Sequence, residues 1–254
     1  MNHSNDKVAI IILAAGLGTR MKSRRAKVLH EMAGRPMILY VIDTAMQVAG
    51  NQVVLVVGHQ AEIVEDVVSR KAELIFARQT EQLGTGHAVM CALPALPDEC
   101  RDVIILCGDV PLIRAGTLER LISVHRSGPF DVSILATEVN DPTGYGRIVR
   151  DAQDHVCGIV EEADASAAQK AIRTINTGIY CVERQFLETA LTGIDRNNAQ
   201  GELYLTDIVK IGYQAGKAIG LVAGQDTDEF RGINTIDDLH KVENLLQNRI
   251  HIKP

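Results

Sequence analysis

The chain has 254 residues, with 26 basic and 32 acidic side chains and a formal net charge of −6. A hydrophobic share of 46% is typical of a folded protein and excludes a disordered one. The acidic balance argues against a long nucleic acid as partner, although a small phosphorylated ligand needs only a local cluster of cations. No apolar run reaches the roughly 20 residues of a membrane span, and the opening residues lack an export signal. We therefore expect a cytoplasmic protein without a membrane or nucleic-acid partner.

Cysteine usage agrees with that compartment. The cysteines are odd in number and contain no C-x-x-C pair; they are Cys91, Cys100, Cys107, Cys157 and Cys181. This pattern predicts reduced thiols instead of a disulfide framework or a zinc site. No HExxH segment or nucleophile elbow is present either, so the histidines carry no predicted catalytic role.

Short β-branched segments alternate with longer amphipathic ones in the first part of the chain. Predicted strands lie at 8–13, 53–57, 74–77 and 102–106, and predicted helices at about 36–49, 61–71 and 87–93. Pro36 is expected in the first turn of the first helix and Gly50 at its end. Such alternation predicts right-handed crossovers and an α/β fold, a Rossmann-like, mainly parallel sheet with helices on both faces.

The pattern changes after about residue 138. The segments GYGRIVR, HVCGIVEE and TINTGIYCVE are β-rich and predict an antiparallel subregion laid over the same sheet. A helix at roughly 203–216, a strand in AIGLVA and a closing helix over 234–250 follow. No linker or repeat interrupts the chain, which predicts one domain over 1–254.

A glycine-rich turn follows the first strand directly, in the segment LAAGLGTRM at 13–21. Small residues let backbone N–H groups approach an anion, and Arg20 and Lys27 supply cations beside it. Met21 stands where a dinucleotide fingerprint needs its third glycine, and the P-loop pattern is absent, so neither site is predicted. Taken alone, the turn is as compatible with a tight strand-to-helix connection as with a phosphate site.

A resemblance makes this reading specific. The segment LAAGLGTRM…KVLHEMAGRPM resembles the signature of the sugar-phosphate nucleotidyltransferases. With QTEQLGTGHA, GDVPLI, DPTGYGRIV, INTGIY, NNAQGELYLTD and GIN in the same order, the chain is similar more narrowly to N-acetylglucosamine-1-phosphate uridyltransferase domains. Nothing in it resembles the left-handed β-helix that carries an acetyltransferase in the bifunctional members. A stand-alone enzyme and a truncated chain both stay open.

That resemblance implies the reaction. It implies an Mg²⁺-dependent pyrophosphorylase that makes UDP-N-acetylglucosamine, a bacterial cell-envelope precursor, and pyrophosphate. The substrates would be UTP and N-acetylglucosamine 1-phosphate, with in-line attack on the α-phosphorus. It also divides the domain into a nucleotide-binding part over about 1–138, a sugar-binding part over about 139–234 and a C-terminal helix over 235–254.

The resemblance further implies the site residues. Arg20 and Lys27 would be catalytic, offsetting charge on the leaving pyrophosphate. The implied nucleotide contacts are Leu13, Ala14, Ala15, Gly16, Gly18, Gln79, Gly84, Thr85 and Gly108. Gly146, Glu161 and Asn176 would hold the sugar, and Asp109 with Asn234 would hold Mg²⁺. The position of Asp109 agrees with this, because α/β sheets bind ligands at the carboxyl ends of their strands and Mg²⁺ prefers oxygen ligands.

Departures from the family pattern leave alternatives open. Ala26 replaces a proline, Cys107 an aromatic residue and Ala163 a lysine. The missing lysine would either weaken binding of the sugar phosphate or be replaced by Lys170 or Arg173. A nucleotidyltransferase for another nucleotide or acceptor is one alternative, and a nucleotide-binding regulatory module without catalysis is another. The sequence does not predict an oligomeric state.

Overall fold

The computed structural model describes residues 7–251, with side chains described to residue 248. Residues 1–6, on which the expectation about an export signal depends, lie outside the described residues. The same holds for residues 252–254 of the predicted C-terminal helix. The strands are β1 (Val8–Leu13), β2 (Glu31–Met32), β3 (Arg35–Pro36), β4 (Val53–Val57), β5 (Ile75–Arg78), β6 (Asp102–Cys107), β7 (Val132–Glu138), β8 (Arg147–Arg150), β9 (Val156–Val160), β10 (Thr174–Glu183) and β11 (Ile219–Ala223). The helices are α1 (Met37–Ala49), α2 (Ala61–Ser69), α3 (Thr85–Ala92), α4 (Ala115–Ser127), α5 (Ala167–Lys170), α6 (Arg184–Leu191), α7 (Asp207–Gln214) and α8 (Ile236–His251).

One mixed sheet organises the molecule, with strand order β11-β7-β10-β6-β1-β4-β5. The pairs β1–β4, β1–β6, β4–β5 and β7–β11 are parallel. The ten-residue strand β10 runs antiparallel between β6 and β7. It lies within the sheet, and only β8 and β9 branch from it as the antiparallel subregion that the sequence predicts. The predicted α/β class with a mainly parallel sheet is confirmed.

The apolar runs are buried on both faces of the sheet, which explains why they do not alternate with polar residues. In β1, Ile10 and Ile12 pack on the face covered by α1 and α4, and Ile11 packs on the opposite face with α3 and α6. Each such buried side chain contributes roughly 1.5–3 kcal/mol of hydrophobic free energy. This two-sided core fixes the strand ends from which the functional loops emerge.

Several boundaries differ from the sequence prediction. Gly50, with a φ of 59°, follows α1 as predicted, but Pro36 belongs to β3 and precedes the helix because its ψ is 132°. The last long helix before β11 begins at Asp207 instead of about 203, because the preceding segment pairs with the start of α3. Leu203 N donates to Leu83 O (2.7 Å) and Leu203 O accepts from Gly86 N (2.8 Å). The helices α4, α5 and α6 and the strands β2, β3 and β7 were not predicted.

Two other expectations concern the whole chain. All five cysteines are free thiols, two of them buried. Among the helices that the structure describes, none is both long enough and apolar enough to cross a bilayer.

Candidate active site

A cavity of about 880 Å³ opens where β1, β5 and β6 end. This is the edge at which open α/β sheets bind ligands. Most of the predicted site residues line it: Leu13, Ala14, Ala15, Gly16, Gly18, Arg20, Lys27, Gln79, Gly84, Thr85, Asp109, Glu161 and Asn234. Gly108, Gly146 and Asn176 are not part of the lining. The structure therefore brings together residues that the sequence spreads over more than two hundred positions.

The glycine-rich turn forms one wall. Its start is anchored to the sheet, because Ala14 N donates to Val56 O and Gly108 N donates to Leu13 O, both at 2.9 Å. Gly108 thus supports the turn from beneath. By contrast, the N–H groups of residues 16–18 donate to no oxygen of the described residues. Gly18 has a φ of 61°, and a Cβ there would lie 2.6 Å from Lys27 Cβ. The turn can therefore present free donors to an anion close to a lysine.

Lys27 joins the two predicted metal ligands. Its Nζ donates to Asp109 Oδ2 and, at 2.8 Å, to Asn234 Oδ1, residues 82 and 207 positions away along the chain. The backbone explains the meeting, because Ile233 N donates to Asp109 O (2.9 Å) and ties the GIN segment to the end of β6. Arg20 lies exposed on the same cavity and makes no ion pair with the described residues. The site therefore combines two cations with two oxygen ligands.

The oxygen pair fits a hard divalent ion. One carboxylate and one amide oxygen approach a single nitrogen closely, so they are near enough to share one cation in its place. No group of three or more His, Cys, Asp or Glu side chains within residues 7–248 is arranged to hold a metal. A site with only two protein oxygens suits Mg²⁺, which keeps several waters and commonly bridges substrate phosphates.

A second wall is formed by the end of β5 and the start of α3. The Gln79 side chain is buried, and its Nε2 donates to Gly84 O (3.0 Å). Gly84 has a φ of 117°, and a Cβ there would lie 2.5 Å from Leu203 O, so only glycine fits. The Thr85 hydroxyl accepts from Leu205 N (3.0 Å) and so holds the segment before α7. This wall is polar, and hydrogen bonds within the protein fix its side chains.

The three predicted sugar contacts meet one another. Asn176 N donates to Gly146 O (2.8 Å), and a Cβ on Gly146 would lie 3.4 Å from Glu161 Oε2. The side chain of Asn176 is buried and donates from Nδ2 to Tyr180 Oη (2.6 Å). Glu161 Oε1 accepts from the Thr206 hydroxyl (3.1 Å), and burial raises the pKa of its carboxyl. Of the three, Glu161 alone lines the cavity; Gly146 and Asn176 lie beside it.

A bulge in β10 shapes this side. The pairing of β10 with β7 shifts register between Asn176 and Ile179, and Gly178 takes a φ of 76° there. A Cβ on Gly178 would lie 2.8 Å from Cys107 Sγ, so the thiol packs directly against the bulge. Burial raises the pKa of Cys107 to about 12, which disfavours the thiolate form.

An ion pair between a buried arginine and a half-buried glutamate, close to the three predicted sugar contacts, was not predicted. Arg147 is 1% exposed and donates from Nη2 to Glu162 Oε2 (2.7 Å), and the same oxygen accepts from Gly144 N (3.3 Å). Its Nη1 donates to Tyr145 O. Lys170 Nζ lies 3.7 Å from Glu162 Oε1. Because both cations pair with Glu162, this carboxylate organises the loop before β8.

Other cavity residues were also missed by the sequence analysis. Gln200 and Glu202 line the cavity, although the motif that contains them gave no role to either. Arg173, one of the two cations considered in place of the missing lysine, donates to Val139 O (3.0 Å) and does not line the cavity. Lys170 pairs with Glu162, which does line it. The carboxylates in the GELY and VEEAD segments are the sequence feature that could have indicated further cavity residues.

The fold and this site define a nucleotidyltransferase. The chain belongs to the nucleotidyl transferase family, whose model matches residues 9–248. Members of the family generally use a divalent metal. The resemblance drawn from the sequence motifs is thereby confirmed.

More particular relatives are bifunctional proteins. The chain is 48% identical to the bifunctional protein GlmU of Syntrophotalea carbinolica, over 97% of this chain and 53% of that protein. It is 47% identical to the bifunctional protein GlmU of Pelobacter propionicus, over 97% and 54%. The chain spans about half the length of these curated relatives.

Solved structures agree on the fold. An inositol-1-phosphate CTP transferase from T. maritima superimposes with a TM-score of 0.72 at 17% identity, covering 96% of both chains. A CMP:2-keto-3-deoxy-manno-octonic acid synthetase complexed with CTP gives a TM-score of 0.72 at 24% identity, covering 96% of this chain and 99% of that one. At these identities the likeness concerns the architecture alone.

Proposed function

We propose that the chain transfers a uridylyl group from UTP to N-acetylglucosamine 1-phosphate and releases pyrophosphate. The observation that supports this most strongly is the meeting of Lys27, Asp109 and Asn234 at one point of the cavity. The three residues come from segments up to 207 positions apart and meet at the sheet edge where α/β folds bind ligands. Kinship with bifunctional GlmU proteins over 97% of the chain supports the choice of this reaction within the family.

The reaction needs positioning and charge neutralisation more than a proton-transfer group. An oxygen of the acceptor phosphate forms a bond to the α-phosphorus of UTP, and the bond from that phosphorus to the bridging oxygen of the β-phosphate breaks. The attacking phosphate is largely ionised at neutral pH, so no histidine base is required. The N–H groups at 16–18, Arg20 and Lys27 would stabilise negative charge on the departing pyrophosphate.

We propose that Asp109 and Asn234 hold Mg²⁺. When bound, the ion would supply positive charge to the phosphate oxygens of both substrates. Lys27 keeps these two oxygens together in the structure, so the ligand pair needs little rearrangement. Leu13, Ala14, Ala15 and Gly16 would pack against the nucleotide, with Gly18 behind them and Gly84, Thr85 and Gly108 shaping its walls.

We propose that the acceptor sugar lies beside Glu161. Its carboxylate oxygens can accept from sugar hydroxyls, and Gly146 leaves room for the ring next to it. Asn176 would take part through the adjoining buried network with Tyr180. Lys170 would be the cation nearest to the phosphate of the sugar, because it lies 3.7 Å from Glu162, which lines the cavity.

A direct assay tests the proposal. The protein is incubated with Mg²⁺, each of four nucleoside triphosphates and a panel of sugar 1-phosphates, and pyrophosphate release is followed. The nucleotide sugar formed is identified by mass spectrometry. We expect pyrophosphate release to be fastest with UTP and N-acetylglucosamine 1-phosphate. Another preferred pair would contradict the proposal and favour a different transferase, whereas nucleotide binding without any release would favour a regulatory module.

A variant pair connects the assay to the site. Lys27→Ala should lower turnover on the order of 100-fold, because a charge contact to the transition state is lost. Lys71→Ala is the matched control, since Lys71 is exposed and outside the cavity. Equal activity of the two variants would remove Lys27 from the mechanism.

A further inference from the structure

The side-chain amide of Gln79 is fixed in one orientation by two partners. Nε2 lies 3.0 Å from Gly84 O and 3.1 Å from His87 Nδ1. A backbone carbonyl oxygen can only accept, so the amide atom facing Gly84 must be the nitrogen. The second amide proton is then directed to His87 Nδ1. Both donors of the amide are therefore used within the protein.

His87 is in turn held by its own helix. It lies on α3, and its Nε2 is 3.8 Å from Cys91 Sγ, one turn further along. Because Gln79 donates to Nδ1, the ring proton of the neutral imidazole must be on Nε2. Gly84 O also accepts from Ala88 N (3.2 Å), which fixes the carbonyl at the start of the helix. The amide thus faces a rigid pair of acceptors.

The orientation leaves Gln79 with a single function toward a ligand. Its Oε1 accepts no hydrogen bond from any described residue, and the side chain lines the cavity while being only 4% exposed. A ligand that reaches this point meets an acceptor and no donor. Uracil presents an N3–H donor to such a group, whereas cytosine presents a lone pair on N3. Turning the amide to suit cytosine would place Oε1 against Gly84 O, acceptor against acceptor.

We propose that His87 is a specificity-determining positioning residue, which selects uracil over cytosine by holding the Gln79 carbonyl toward the base. The inference rests on the proposed function only in placing the base of the nucleotide at Gln79. His87 does not line the cavity and acts through Gln79. Thymine carries the same N3–H as uracil, so this device separates uracil from cytosine and leaves the uracil-to-thymine ratio alone.

The test compares nucleotides instead of overall activity. For wild type and variants, kcat/KM is measured with UTP, CTP and dTTP, and the dissociation constants of UTP and CTP are measured by calorimetry. His87→Leu removes the acceptor, and we expect the UTP:CTP ratio to fall about tenfold, the effect of one lost hydrogen bond. His87→Asn places an amide oxygen near the position of Nδ1 and should keep the ratio within about threefold. The UTP:dTTP ratio should stay the same in both.

Further variants separate the possible failures. His87→Gln keeps a polar side chain but puts its amide near the position of Nε2, so it should behave like His87→Leu and serves if that variant is unstable. Equal losses for all three nucleotides would overturn the inference, because His87 would then be structural. If Gln79→Ala abolishes the UTP:CTP preference while His87→Leu leaves it intact, the base site stands and the role of His87 fails. An unchanged preference in Gln79→Ala overturns both. The binding constants give the ratio even if no pyrophosphate is released, a result that would count against the proposed function alone.

Discussion

The two sides of the cavity are built in different ways. The side that we propose for the nucleotide is a turn between β1 and α1 that lines the cavity, in which the N–H groups of residues 16–18 donate to no oxygen of the described residues. The side that we propose for the sugar stands on β8, β9 and β10, where buried polar side chains form pairs with neighbouring side chains. Arg147 with Glu162 and Asn176 with Tyr180 are the main ones.

The difference determines what each side tolerates. Backbone donors stay in place as long as the turn keeps its conformation, so we expect the glycine and alanine positions of the turn to act through their backbone. A buried polar network depends on every partner, because a group that loses its partner keeps its desolvation cost. Substitutions on the nucleotide side should therefore alter turnover more than stability, and those on the sugar side should alter both.

The largest expected effect is on turnover, from Asp109→Ala. The change removes the carboxylate that we propose for the metal, and kcat should fall by at least about 100-fold. Folding stability should change by less than about 1 kcal/mol, because Lys27 keeps Asn234 Oδ1 as a partner (2.8 Å) and lines the open cavity, where water can replace the lost carboxylate. Pyrophosphate release and thermal unfolding measure the two quantities.

Asp66→Ala is the matched control. Asp66 is an exposed carboxylate that pairs with Arg70 on the surface of α2. Its loss should leave both turnover and stability nearly unchanged. A large stability loss in Asp109→Ala, comparable with the loss of activity, would erase the contrast between the two sides.

The second prediction concerns Arg147→Ala on the sugar side. The variant should lose about 2–3 kcal/mol of stability, because it removes a fully buried side chain with its hydrogen bonds and leaves space in the core. It should also raise the KM for the sugar phosphate more than the KM for UTP, since Glu162 would no longer be held against the loop at Gly144. Urea unfolding and steady-state kinetics with each substrate varied in turn provide the measurements. Arg70→Ala, at an exposed pair, is the control.

These two predictions differ in how far the sequence leads to them. Asp109 was predicted from the resemblance, and its position just after an apolar strand agreed with that role; Asn234 came from the resemblance alone. No pattern marked Arg147, since an arginine in a β-rich segment usually points to solvent, and its buried guanidinium is paired with Glu162, just after the adjacent strand β9. Local periodicity predicts strands and helices but does not predict which side chains meet across strands.

The same limit applies to the fold. The apolar runs of β1, β4 and β6 and the helices between them were predictable, because both faces of the sheet are covered. The insertion of β10 between β6 and β7 was not, because its pairing joins segments distant in the sequence. The bulge at Gly178, which brings Cys107 against β10, follows from that pairing.

A smaller effect is expected from Tyr180→Phe. Asn176 Nδ2 would lose the acceptor of a buried 2.6 Å hydrogen bond, at a cost of about 1 kcal/mol. Because Asn176 adjoins the proposed sugar position, KM for the sugar phosphate should rise severalfold with little change in KM for UTP. Tyr213→Phe is the matched control: it removes an exposed hydroxyl that donates to Asp151 Oδ2 (2.8 Å). Equal changes in both KM values would contradict the separation of the two sides.

The finest distinction lies within the sugar side, between the adjacent carboxylates Glu161 and Glu162. Burial raises the pKa of Glu161, whereas Arg147 lowers the pKa of Glu162. Above the ordinary glutamate value of 4.5 the unfolded chain releases the Glu161 proton before the folded chain does, so this residue makes stability fall as pH rises until the folded carboxyl has also ionised. Glu162 acts in the opposite sense, since its contribution is complete above the unfolded pKa and is lost as pH falls through the lower folded value.

The variants Glu161→Gln and Glu162→Gln should therefore shift the pH dependence of stability in opposite directions. Glu161→Gln keeps an oxygen that can accept from Thr206, so its free energy of unfolding, measured against wild type, should rise as pH is raised from 4 to 7. The free energy of unfolding of Glu162→Gln, measured against wild type, should fall over the same interval, because the charge that pairs with Arg147 is missing. Urea unfolding at several pH values gives both slopes. Parallel slopes would mean that the buried polar network does not distinguish the two carboxylates, and that the sugar side is held by packing alone.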